Sequence, residues 1–294
     1  MFSSLSAVRV RRIPLYRILN RFRLWMEISA IFRRLKRSRT MQETHRHLYR
    51  PDISRHLRQS REGSVFEMAD VSACIRQLRE NGYWQGLQLP EDLVAEIRRF
   101  AEETFCSRHP HDPERFLIAE VCNGRSPLGA PVAVADVNCA LPCEAIDRVA
   151  ADPLLADVSR RYLGYAPKQV KTRLYWSPVS DLSDEERREN GQTVDFHYDI
   201  EPTRALYVFF YITPADRESG AHVAMARSHR IKSLPMIFSS SFQPEGRVLA
   251  HYGEAAQIVI EGGAGYGFLE DPAAFHKVLV PRKRERLVLQ LRYS

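Results

Sequence analysis

The residues most able to do chemistry are His197, Tyr198 and Asp199, near the end of an expected strand. Side chains at i and i+2 of a strand project from one face, so the His197 imidazole and Asp199 carboxylate can converge on one ion. They begin a two-histidine, one-carboxylate facial triad, a ligand set that leaves metal positions open. The tripeptide alone weighs little. Ten His and fourteen Asp in 294 residues give about half of one His-x-Asp by chance. A second His must come from a distant strand, and His276 in Asp271-Pro-Ala-Ala-Phe-His276-Lys-Val-Leu-Val is placed for that. Further on, Arg286 opens the final run, Arg286-Leu-Val-Leu-Gln-Leu-Arg-Tyr, where a guanidinium can grip a carboxylate through two parallel hydrogen bonds beside the metal. Competing readings exist. His222, on an adjoining strand, is a rival ligand, and His229 is suited to holding its loop. His251, and His109 and His111 in a Pro-rich loop, read as exposed. Arg286 also ends a charged run, Arg282-Lys-Arg-Glu-Arg286, of the kind that often stays solvated. Arg173, Tyr175 and Trp176 on the strand leading to the site, with Gln192 and Thr213 beside it, can touch whatever the site binds, but the aromatics read equally as core.

The elements that must position these groups fall into two halves. The spacing predicts helices over 71–80 and 93–104, and another from 144 to 163, interrupted near Pro153 and stopped by Gly164. Asn81-Gly82 reads as a turn before a short apolar piece, 83–89, and residues 107–142 read as irregular. After Pro167, β-branched and aromatic runs separated by turn signals predict strands at 169–176, 193–198, 205–213, 221–225, 257–260, 265–269, 275–280 and 287–293. Helices first and short strands afterwards make the class α+β, with an antiparallel sandwich or barrel behind a helical scaffold. The boundaries this gives are a basic arm at 1–40, a linker at 41–65, and one domain at 66–294, its helical scaffold at 66–166 and its β-core at 167–294.

On these residues the chain resembles the iron(II)/2-oxoglutarate-dependent dioxygenases, and within them the phytanoyl-CoA dioxygenase-like group. The likeness runs from about Val71 to Ser294. It takes in Asn81-Gly82-Tyr83-Trp84, Ala151-Asp-Pro-Leu-Leu before Tyr162-Leu-Gly, and Tyr211-Ile-Thr-Pro-Ala-Asp-Arg-Glu-Ser-Gly220-Ala-His-Val-Ala-Met-Ala-Arg-Ser228-His229-Arg230. The resemblance implies a double-stranded β-helix (jelly-roll or cupin-like) core with helical N-terminal decoration. It implies iron(II) held by His197, Asp199 and His276, 2-oxoglutarate as cosubstrate with its far carboxylate on Arg286, and O2 as oxidant. Hydroxylation of an aliphatic carbon would release succinate and CO2. Ala226-Arg227 departs from the Pro-Gly that the group usually carries before Ser-His. Asp199 favours hydroxylation, because halogenases of the group have a small residue there.

Composition narrows the rest. The chain has 43 Lys and Arg against 36 Asp and Glu, a net charge of +7. Eleven of the basic residues and a single acid, Glu27, lie in residues 1–40, leaving 32 basic and 35 acidic side chains, a net of −3, over 41–294. A basic groove through the body is not expected, so neither is a nucleic-acid partner. From Ile13 to Leu35 the arm reads as a basic amphipathic helix, fitted to an anionic membrane surface, to packing on the body, or to targeting. Five cysteines without a Cys-x-x-Cys pair argue against a zinc ribbon or disulfide framework, and no apolar run is long enough to span a bilayer. The expected setting is cytoplasmic, peripheral to a membrane if the arm binds one, with a small or carrier- or lipid-linked substrate. Two other function classes share the residues: a non-catalytic β-helix module, and a cupin-type metalloenzyme without 2-oxoglutarate, in which Arg286 has no obvious task.

Overall fold

The computed structural model describes residues 63–67, 70–109, 112–138, 142–201 and 204–294. The expected basic arm, nearly all of the linker, and also His111 and Cys139 lie outside them.

Two helices open the described body. Helix α1 (Val71–Asn81) is capped by the Asp70 carboxylate, which accepts from the Ala73 N–H, and it ends at Gly82 in the left-handed region at φ 85°. Such a carboxylate cap contributes about 1 kcal/mol, and the left-handed residue after the helix favours glycine. Helix α2 (Glu91–Glu103) carries Glu91 and Asp92 in its first turn, where the helix dipole favours acids. The long helix expected at 144–163 is two helices, α3 (Glu144–Ala150) and α4 (Pro153–Leu163). Pro153 cannot continue a helix but suits the first turn of the next, and Asp152 caps it by accepting from the N–H groups of Leu154 and Leu155. Ser64 and Val65 also donate to Asp152, tying the first described residues to the body.

Strands β1 (Tyr83–Gln88), β2 (Cys106–Ser107), β3 (Ala135–Val137), β4 (Val170–Ser177), β5 (Leu206–Tyr211), β8 (Tyr266–Glu270) and β10 (Arg286–Tyr293) form one antiparallel sheet in the order β1-β8-β5-β10-β4-β3-β2. Strands β6 (His222–Met225), β7 (Gln257–Ile260) and β9 (His276–Val278) form a second, ordered β7-β6-β9. Three strands of the larger sheet therefore come from the helical-scaffold half, where 83–89 was expected as a short apolar piece and 107–142 as irregular. β1 and β2 are the edge strands with β3 next to β2, and two of the three have three residues or fewer, too short to show a period of two.

Alternation along β10 sorts the layers. Leu287, Leu289 and Leu291, each fully buried, face α1–α4 in the largest core cluster. At roughly 1.5–3 kcal/mol for each leucine removed from water, this face holds the helices to the sheet. Val288, on the other face, packs with Tyr207, Phe209, Tyr211 and Phe268 between the two sheets. Behind the smaller sheet, Phe196, Tyr198, Val223, Met225 and Phe275 pack under α6 (Leu234–Phe238) and α7 (Glu245–Tyr252), through Met236 and Val248. A further short helix, α5 (Asp184–Glu189), lies before the His-x-Asp segment. None of α5–α7 was expected. The result is an α+β double-stranded β-helix, and none of its described helices is long and apolar enough to cross a membrane.

Candidate metal centre

His197 and His276 are backbone partners: the His197 N–H donates to the His276 carbonyl at 2.9 Å, and the His276 N–H returns the bond at 2.8 Å. The Asp199 N–H donates to the Pro272 carbonyl at 2.8 Å. With Phe196 and Tyr198 turned outward, His197 and Asp199 face the space between the sheets, where the rings of His197 and His276 approach to 4.2 Å. The strand expected at 193–198 is reduced to isolated bridges, Phe196 to Gln243 and His197 to His276. One ligand atom each from His197, Asp199 and His276 lies within 4.8 Å of the others, a spacing that one ion can bridge.

The rings are oriented by carbonyls. His197 Nδ1 lies 3.2 Å from the Asp195 oxygen and His276 Nδ1 3.0 Å from the Ala274 oxygen, so with Nδ1 as donor each ring keeps Nε2 for a metal. His197 Nε2 is 3.7 Å from Asp199 Oδ1. Burial, helped by repulsion from His276 and opposed by Asp199, holds the His197 pKa down to about 3, so this ring is neutral at pH 7, as a ligand must be. Phe242, half exposed, stacks on the same ring at 5.0 Å and covers one side of the centre.

His222 is not in the cluster. Its Nε2 lies 3.1 Å from Glu270 Oε1, inside the barrel. Glu270 is fully buried, which pushes its pKa up to about 8 against the pull of His276. Burial, and then the charge of Arg286, hold His222 down to about 3. At neutral pH the proton therefore rests on Glu270, which donates to a neutral His222.

Arg286 does not share the fate of its charged run: residues 282–285 are exposed, whereas Arg286 is 2% exposed. Its Nη1 donates to the Gly220 carbonyl and its Nη2 to Ser177 Oγ at 3.4 Å, both neutral acceptors. Its buried Nε has no partner among the described residues. A buried cation offered only neutral partners favours an anion beside it.

The remaining sequence candidates divide. Arg173 and Tyr175 alternate with Leu174 and Trp176 on β4; Trp176 belongs to the helix-side core, so Arg173 and Tyr175 face inward. Thr213 accepts the Leu287 N–H, and Gln192 is held by Arg187. His229 Nε2 donates to the Arg79 carbonyl and sits against Gly82, where a Cβ would come within 2.6 Å of the ring. Its loop uses Arg227 at φ 68°, the conformation a glycine would take, in place of the expected Pro-Gly. His109 and His251 are exposed. Sequence reasoning passed over Glu270, yet the signal was present: a period of two from Phe268 puts that acid on the inward face of β8.

No protein-family model and no curated protein matches the sequence. Solved structures do match the fold. One is SnoN, titled a non-heme alpha ketoglutarate dependent epimerase from nogalamycin biosynthesis, with 15% identity and a TM-score of 0.50 over 76% of this chain and 82% of that one. SnoN has also been solved with Fe3+, alpha ketoglutarate and nogalamycin RO. Another is EvdO2 from Micromonospora carbonacea var. aurantiaca, complexed with 2-oxoglutarate, with 16% identity and a TM-score of 0.50 over 79% of this chain and 94% of that one. At these identities the likeness is one of fold, and it agrees with the double-stranded β-helix described above.

Proposed function

We propose that this protein is an iron(II)/2-oxoglutarate-dependent dioxygenase of the phytanoyl-CoA dioxygenase-like kind, hydroxylating an aliphatic carbon of a small or carrier- or lipid-linked substrate. The observation that carries the reading is the pairing of two features inside one barrel: three ligand atoms within 4.8 Å, and a buried Arg286 supplied only with neutral partners. The donor set fits the metal, since two imidazoles and one carboxylate suit non-heme iron(II) and leave positions for a chelating oxoacid and dioxygen. Bound there, iron(II) and 2-oxoglutarate supply the oxidation of a C–H bond by O2, with succinate and CO2 released.

The chain's own part is placement. His197 and His276 present Nε2, each ring fixed by a carbonyl behind it, and Asp199 supplies the carboxylate oxygen. Arg286 would take the far carboxylate of the cosubstrate through its fork of N–H donors. Phe209 and Phe268, stacked at 4.9 Å in the interior, help keep water from this space.

The test is anaerobic titration of metal-free protein with iron(II) and then 2-oxoglutarate, read by the visible metal-to-ligand charge-transfer band. The expected result is a band that saturates at about one equivalent and disappears in His197→Ala and Asp199→Ala. A folded, iron-loaded protein without the band would remove the oxygenase reading and leave the β-helix as a binding module.

A further inference from the structure

The inward face of the larger sheet is a ladder with a cation at each end. On β10 it carries Arg286, Val288, Gln290 and Arg292, and the register with β4 sets Ser177, Tyr175, Arg173 and Lys171 beside them in that order. On the other flank Tyr211, Phe209 and Tyr207 of β5 pair with Val288, Gln290 and Arg292. Six residues at about 3.4 Å each separate Arg286 from Arg292, so the two poles lie roughly 20 Å apart along the strand. The Arg286 end is closed. At the other end Lys171 is exposed and Arg292 half-buried.

At that open end lies a cavity of about 450 Å³ whose lining includes Arg115, Asp136, Lys171, Arg173 and Arg292. This volume falls within the usual range for a small-molecule site. Asp136, the single acid among the lining residues, is engaged by Arg173 Nε at 2.6 Å. The guanidinium of Arg173 lies on the Tyr175 ring at 4.5 Å and that of Arg292 on the Tyr207 ring at 5.0 Å, so both are held in place before any ligand arrives. Lys171 forms no ion pair among the described residues. Four cations against one acid leave three positive charges on the walls, more than a single carboxylate needs and suited to a phosphate or diphosphate, whose oxygens match the planar guanidinium fork. The excess is local, because residues 41–294 carry a net charge of −3.

The candidate metal ligands do not line the cavity, but one of them lies within electrostatic reach of it. The Asp199 carboxylate acts on both Arg173 and Tyr207, which stand in adjacent rows of the ladder. Burial disfavours the charge on Arg173, but Asp136, with smaller contributions from Tyr175 and Asp199, outweighs it and holds the guanidinium pKa above its ordinary value. The candidate ligands therefore lie between two anion-seeking poles: Arg286 on the closed side and the Lys171–Arg173–Arg292 group on the open side.

We propose that the open-end cavity binds a phosphate or diphosphate group of the substrate, anchoring it while a neighbouring carbon faces the metal centre. The assignment of that group to a substrate rests on the oxygenase reading; the anion site itself does not.

The experiment is calorimetric titration of the full-length, metal-free protein at low salt, where charge contacts are least screened, with inorganic pyrophosphate as the probe. Saturable binding is expected, weakened about tenfold or more in Lys171→Glu and in Arg292→Gln and unchanged in Arg286→Met. Lys171 is exposed, so its variant keeps the test valid if Arg292→Gln fails to fold. Absence of saturable binding at millimolar pyrophosphate would overturn the proposal. So would binding lost only in Arg286→Met, which would put the anion in the closed pole. Repeating the titration with a soluble nucleoside diphosphate and with phosphatidate vesicles separates a soluble ester from a lipid headgroup, and dependence on Lys171 in either supports the site. The charge-transfer titration reports on the metal independently, so failure of the oxygenase reading and failure of the anion site give different results.

Discussion

Replacing Arg286 by Met should move stability and cosubstrate binding in opposite directions. The guanidinium is 2% exposed, meets only the Gly220 carbonyl and Ser177 Oγ, and leaves Nε without a partner. Withholding water from such a cation costs several kcal/mol, of which two hydrogen bonds from a charged donor to neutral acceptors return about 1.5–3 kcal/mol each at most. Methionine has a similar reach, brings no charge, and would lie beside Val288 and Tyr211 on the inward face. Its own cost is the Gly220 carbonyl left without this donor, about 1–2 kcal/mol. The net expectation is a gain of about 1–2 kcal/mol, seen as a Tm higher by roughly 2–8 °C for a body of this size. Affinity for 2-oxoglutarate in the anaerobic iron(II) protein should meanwhile fall by about 2–4 kcal/mol, roughly 30- to 1,000-fold, because the far carboxylate loses its buried partner. Differential scanning fluorimetry gives both readings, since the upward Tm shift that 2-oxoglutarate causes in the parent protein should vanish in the variant. A variant that melts lower while keeping its cosubstrate affinity would refute the reasoning and make Arg286 a structural residue.

Two further outcomes concern stability. In chelator-treated protein, His197 and His222 have folded pKa values near 3, below their ordinary value of 6.5, so their contribution is lost as pH falls below 6.5; Glu270, raised from 4.5 to about 8, stabilises when protonated, and that contribution is lost as pH rises from 4.5 to 8. Between 4.5 and 6.5 the unfolded chain binds about one more proton than the native one, and above 6.5 about one fewer, so the unfolding free energy from urea titrations should peak near pH 6.5 and decline by up to ~1.4 kcal/mol per pH unit on either side. Glu270→Gln should flatten the alkaline limb, and a parent protein already flat there would rule out a protonated buried Glu270. Arg227→Gly should raise stability by about 0.5–1 kcal/mol in urea unfolding, because glycine takes φ 68° without the side-chain penalty; a loss would show that the exposed Arg227–Glu80 pair, 3.6 Å apart, matters more than the backbone.

Legibility in the sequence followed the length and regularity of each signal. The eight-residue β10 and the long first helices announced themselves through sustained periodicity, and their observed limits differ from the expected ones by a residue or two. Strands β2 and β3 could not, since two or three residues carry no period, and their pairing is decided by β3 docking on β4 and β2 on β3 rather than by composition. Helices α6 and α7 exist to cover the outward side chains of the smaller sheet, and that need is invisible until Phe196, Val223 and Phe275 are known to share a face. Within the site, His197, Asp199 and His276 were each nameable from spacing, but their convergence depends on the mutual backbone bonds of His197 and His276, across a long sequence separation.

The same alternation that builds the barrel also distributes its charge. A strand that sends Leu287, Leu289 and Leu291 into the helix-side core has no choice but to send Arg286, Gln290 and Arg292 inward. A barrel interior is an expensive place for such groups unless something anionic enters it. Glu270 does not serve as that partner for either arginine: it bonds to His222 and is driven toward its neutral form by burial. Three carboxylates stand on the open side: Asp199 belongs to the candidate metal set, Asp136 is engaged by Arg173, and Glu201 accepts from the Tyr207 hydroxyl in the row of Arg292. Inward positive charge is therefore left in excess at both ends of the ladder, with ligands of the kind that hold a divalent cation between them. A protein selected only for stability would have apolar residues at these positions, at no cost to the helix-side core. These uncompensated charges are what favour a carboxylate beside Arg286 and, under the proposal above, a phosphate beside Lys171 and Arg292.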